Sequence, residues 1–195
     1  MKIVTKIYAP LLVAMLWAVS VQAGQDKPKG GLNVCIDYHC DVKKTIRLNE
    51  SHWQKILGPF AAPAANARQE RKQISESIAI FEKVVGVHAG TSQDLAENKG
   101  SDEIGQLDCI AESINTTQYL NRLEKLGKLR WHSVAERKRR SAFIFDEHWS
   151  AVIKDKTTDT YYVVDSWFYE NGAPPVIQEL GEWLDKKPAS SQLVP

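Results

Sequence analysis

Near residue 127 the spacing of apolar residues changes period, and that change limits the possible folds more than any single motif. From about Ala64 to His88, the residues Ile74, Ile78, Phe81, Val85 and His88 recur every three or four positions. This is one face of a long amphipathic helix, with Gly90 as its stop. The stretch "GTSQDLAENKGSDEIGQ" (90–106) is polar and glycine-rich, and reads as a loop or a broken helix. A second helix is expected from Cys109 to about Leu126, with Asp108 as its N-cap and Gly127 at its C-terminal cap. Its inner stripe reads Ile110, Ile114, Thr117, Leu120 and Leu123. Beyond it the pattern partly alternates. The segments "KLRWHSV" (128–134), "SAFIF" (141–145), "HWSAVIKD" (148–155) and "TYYVVDSWF" (160–168) are rich in β-branched and aromatic residues. Helices first and antiparallel strands second specify an α+β domain with helices packed on the sheet.

Smaller features complete this outline. "VKKTIRL" (42–48) reads as a short strand, and Asn49 caps a brief helix through Leu57. "VIQELGEWL" (176–184) reads as a closing helix, and the basic run "ERKRR" (136–140) as a solvated loop between strands.

The chain opens with Lys2 and Lys6, an apolar run from about Ile7 to Val21, and the small-residue motif Val21-Gln22-Ala23. That order is the pattern of a cleaved secretory signal, and the run is too short for a spanning helix. The expected organisation is a signal over 1–23, a leader over 24–41, a domain over 42–186 and a tail over 187–195. Of 25 basic residues Lys2 and Lys6 leave with the signal; against 24 acidic residues the mature charge is about −1. Such a balance does not select nucleic acid as a partner, and no later segment is long and apolar enough to insert in a bilayer. A soluble, exported protein, periplasmic or secreted, is the expectation.

Export gives the three cysteines meaning. In an oxidising compartment Cys35 and Cys40 are expected to form a local disulfide. A metal site through Cys35, His39 and Cys40 is the weaker reading, since no second ligand pair stands at zinc-like spacing. Cys109 is left over, in "GQLDCIAES" (105–113). A buried structural thiol is a common fate for such a residue. At the first turn of a helix, however, the unpaired N–H groups favour an anion, and a thiol there gains nucleophilic character. The Asp108 charge opposes this, and an additional cationic partner such as a histidine would help.

Strand pairing supplies one. If 148–155 and 160–167 form a hairpin around "KTTD", Asp155 lies opposite Thr160, Asp165 opposite Ser150 and His148 opposite Trp167. His148 and Asp165 then share a face as diagonal neighbours about 7–8 Å apart. A one-residue slip would separate them. With Cys109 brought against that sheet, the set becomes nucleophile, base and orienter. The N–H of Cys109 offers one oxyanion donor, and the loop residue Gln106 is a weaker candidate for a second.

"GQLDCIAESINTTQYL", "HWSAVI" and "VVDSWFYENGAPP", in that order, resemble the bacterial transglutaminase-like cysteine proteinases of the transglutaminase-like and papain-like superfamily. The likeness extends over "NVCIDYHC", "RQERKQISESIAIFEKVVG" and "LRWHSV". The resemblance implies a papain-like or transglutaminase-like fold with the nucleophile at a helix N-terminus. It implies Cys109 as nucleophile, His148 as general base and acid, and Asp165 as orienter. It also implies acyl transfer on an amide of a protein or peptide substrate. Some members are exported calcium-dependent proteases, so calcium enters by resemblance alone; the residues assign no metal ligand and no cofactor. Hydrolysis is the first reading, cross-linking by transfer to an amine the second, and a non-catalytic binding module on the same fold the third.

Overall fold

The computed structural model describes residues 30–98, 103–141 and 147–187. The expected signal over 1–23, nearly all of the tail over 187–195 and most of "SAFIF" lie outside the described residues. The fold is α+β. A two-stranded antiparallel sheet, β1 (Leu32–Cys35) and β2 (Lys43–Ile46), leads into α1 (Glu50–Leu57), α2 (Ala67–Ala89) and α3 (Cys109–Lys125). A four-stranded antiparallel meander follows: β3 (His132–Ser141), β4 (Glu147–Asp155), β5 (Tyr161–Asp165) and β6 (Val176–Glu179), in that spatial order. A short α4 (Leu180–Leu184) ends it. Among the described residues no helix is long and apolar enough to cross a membrane.

The helix ends follow from local chemistry. Asn49, Asn66 and Asp108 each accept a backbone N–H from their own first turn, at His52, Gln69 and Ala111. Gly90 closes α2 at φ +95°, a left-handed conformation that costs glycine nothing. The apolar stripe of α2 is buried through Ile74, Ile78, Phe81 and Val85, whereas His88 is exposed at the rim and packs on the ring of His52. One core joins that stripe to Tyr119, Leu120 and Leu123 of α3 and to Ala151, Ile153, Tyr162, Val164 and Ile177 of the sheet. Phe81 and Tyr119 stack at 4.7 Å. Each fully buried side chain of this kind contributes about 1.5–3 kcal/mol. The other sheet face carries Val152 and Val163 against Trp183 of α4.

Four expectations change. Residues 32–41, read as leader, supply β1, in which Val34 and Cys35 are wholly buried. The inner face of α3 is rotated from the expected stripe: Glu112, Asn115, Thr116 and Tyr119 are buried, while Ile110, Ile114 and Thr117 are only half-buried. Polar residues occupy that face because each finds a partner; Asn115, for example, brackets Cys35, accepting its N–H at 2.8 Å and donating to its carbonyl at 3.1 Å. "ERKRR" is the second half of β3 rather than a loop. The segment 176–184 divides into β6 and α4, because Val176 to Glu179 complete the sheet beside β5.

Candidate active site

The hairpin is built in the expected register. Ala151 pairs with Val164 and Lys154 with Tyr161, and the Asp155 N–H donates to the Thr160 carbonyl at 2.8 Å. His148 and Asp165 therefore fall on one face, and they bond: His148 Nε2 lies 2.7 Å from Asp165 Oδ2. Trp183 Nε1–H donates to the same oxygen at 2.9 Å. An aspartate only 2% exposed would be costly in a strand without such donors. The His148 ring is wedged against Trp167 at 4.7 Å, Phe168 at 5.2 Å and Trp183 at 5.6 Å, which fixes its plane.

Cys109 opens α3, which packs on β4 and β3. Its thiol points at the Glu147 carbonyl, 3.8 Å away, at the start of β4. Cys109 is half-buried and is the chain's one free cysteine. Burial alone would favour the neutral His148 ring. The hydrogen bond to Asp165, and then the influence of the Cys109 thiol, outweigh it and raise the His148 pKa to about 9. His148 Nδ1 is buried and has no partner at ordinary hydrogen-bond distance. The thiol is turned to the Glu147 carbonyl and not to this nitrogen.

The Cys35–Cys40 disulfide is formed, which removes both sulfurs from any metal reading. His39 faces Asp108 instead, with Nδ1 3.0 Å from Oδ2. The bridge packs with Leu107 and Ala111 beside the first turn of α3. Gln106 is fully engaged in its own loop: Nε2 donates to the Gln93 carbonyl, and Oε1 accepts from Leu95 N and Asn98.

Three buried carboxylates lie behind this turn, and the sequence reading missed them. Glu82 has its pKa raised to about 7, by burial first and by the Asp94 charge. Asp94 is raised to about 6, again chiefly by burial. Glu112 is pushed well above the carboxylate range by burial and by the charges of Glu82 and Asp94, so its proton is donated to Asp94. Glu112 sits one turn beyond Cys109, and an acidic residue at that spacing on an inward face was the available signal. Calcium needs six to eight oxygens around one point. Among the described residues no group of three acidic, histidine or cysteine side chains is arranged to hold a metal, and this cluster is closed on itself by the Glu112–Asp94 bond. It does not fit the ion.

These shifts set a pH dependence of stability. Carboxyl values above their unfolded counterparts give stability that is complete below about pH 4 and lost as pH rises through 6 and 7. The raised His148 acts in the same direction, with stability complete below its unfolded value near 6.5 and lost through about 9. The melting temperature should therefore fall by roughly 5 °C or more between pH 5 and pH 9. Glu82→Gln should flatten the part of that slope below pH 8. A melting temperature that holds level or rises over this range would contradict the assignment.

Comparison with protein-family models, with curated proteins and with solved structures finds no match for the chain.

Proposed function

We propose that the protein is an exported cysteine hydrolase that cleaves peptide or side-chain amides through a thioester, on a papain-like or transglutaminase-like fold. One observation carries the reading: His148 Nε2 lies 2.7 Å from Asp165 Oδ2, its buried Nδ1 has no hydrogen-bond partner, and the free thiol of Cys109 lies 3.8 Å from the carbonyl of Glu147, the residue before His148 in β4. In this reading the sulfur turns from the Glu147 carbonyl to His148 Nδ1 when substrate binds. Thiol–base geometry of this kind tightens when substrate binds.

In the reaction, the thiol proton is held on His148, whose ring stays charged up to about pH 9, and the sulfur attacks the amide carbon. The oxyanion meets the Cys109 N–H, which has no intrahelical acceptor. The C–N bond breaks as His148 returns the proton to the departing amine, leaving a thioester. Water then attacks with His148 again as base, and the acid and the thiol are released. Asp165 keeps Nε2 protonated and the ring in place. An amine in place of water would give transfer.

The test is digestion of a peptide mixture from a denatured protein, read by mass spectrometry for cleavage and glutamine deamidation, with a labelled amine in a parallel arm. Products that form with the native protein and vanish with Cys109→Ala support the reading. The same products from folded Cys109→Ala protein would end it. Incorporation of the amine, with little cleavage or deamidation, would select cross-linking.

A further inference from the structure

One basic side chain of "ERKRR" points at the nucleophile helix. In β3, Ala135 pairs with Val152 and Lys138 with Ser150, so Glu136 and Arg137 together oppose the single residue Ala151. A bulge of this kind bends a strand and re-aims a side chain, and bulges gather beside active sites. Here Arg137 reaches the first turn of α3. Its Nη1 donates to Ser113 Oγ at 2.9 Å and to the Ile110 carbonyl at 3.4 Å. The Trp149 ring lies 5.0 Å from the guanidinium carbon, backing the cation from the β4 side.

We propose that Arg137 is a positioning residue for Cys109: it ties down the first turn of α3 and holds a positive charge toward the sulfur when the sulfur is anionic. The inference rests on the hydrolase reading above. The surrounding charges leave this task to few groups. From α3 and its cap come Asp108, which opposes an anion but faces His39, and Glu112, which keeps its proton. From β4 come His148 and Glu147, the latter paired with Arg139 of β3. Asp165 of β5 is engaged by His148 and Trp183. Arg140 of β3, opposite His148, is turned to the Trp183 carbonyl at 2.6 Å. Among the described residues Arg137 and His148 are the cations whose charged forms the Cys109 charge favours, for Arg137 against the effect of burial. Arginine suits the position because its planar fork serves two acceptors and an aromatic face together.

The experiment is the rate of Cys109 alkylation by iodoacetamide from pH 5 to pH 10, on the full protein and on Arg137→Gln, Arg137→Lys and Lys138→Gln. Lys138 is exposed on the same strand, so its variant removes an equal charge elsewhere. Arg137→Gln should react about tenfold more slowly at pH 7, with the gap closing by pH 10. Arg137→Lys should recover most of the rate, and Lys138→Gln should match the native protein. A deficit constant across the pH range, or no deficit, overturns the inference and leaves the hydrolase reading standing. A native thiol that reacts at pH 7 no faster than free cysteine overturns both.

Discussion

His148→Gln is expected to lower Cys109-dependent cleavage by about 10⁴-fold while the protein stays folded. Glutamine can donate to Asp165 in place of Nε2 and can occupy the slot between Trp167, Phe168 and Trp183. It cannot accept and return a proton, which is the one task the reaction needs from this position. In the native protein the ring keeps its proton up to about pH 9, so the rate should decline above that value as the donor to the leaving amine is lost. The glutamine variant should lack this decline. Progress curves across pH, with thermal melts of both proteins, provide the check. A variant within tenfold of the native rate would remove His148 from the reaction.

The second large effect concerns the fold. Glu70, in the first turn of α2, is 1% exposed and accepts the backbone N–H groups of Arg130 at 2.7 Å, Trp131 at 3.0 Å and His132 at 2.9 Å. The His132 ring adds a fourth contact at 2.9 Å. Burial alone would raise the Glu70 pKa; the bonds from His132, Trp131 and Arg130 reverse this and hold it below the ordinary value. Glu70→Ala leaves three backbone donors and the Nδ1 of the buried His132 ring unpaired where β3 begins, while the ring's Nε2 keeps Arg71 at 3.2 Å. The expected loss is about 4 kcal/mol in urea unfolding, with Glu70→Gln losing about half as much because its amide keeps one acceptor. A loss under 1 kcal/mol for the alanine variant would refute the assignment of Glu70 as the tie between α2 and the sheet.

The sequence disclosed what depends on period and caps. Asn49, Asp108 and Gly90 mark helix ends where expected, and the alternation of 148–155 against 160–167 set the register that joins His148 to Asp165. Other features are governed by long-range pairing and left no local mark. β1 is four residues long and owes its position to β2 and to Asn115, 80 residues away from Cys35. Arg137 looked like part of a solvated run because a bulge cannot be read from charge. The face of α3 turned out polar because Glu112 and Thr116 find partners in Asp94 and Ser166, on other segments of the chain. Trp183 carried no assignment beyond its place in the closing segment, and it donates to Asp165.

The bridge beside α3 has a practical consequence. Cys35 is wholly enclosed and Cys40 is 8% exposed, whereas Cys109 is half-buried. A thiol-directed tag thus has a single address, and one equivalent per chain reports the state of that residue without background. A reductant mild enough to spare the enclosed pair would also keep the Cys109 sulfur free between storage and assay.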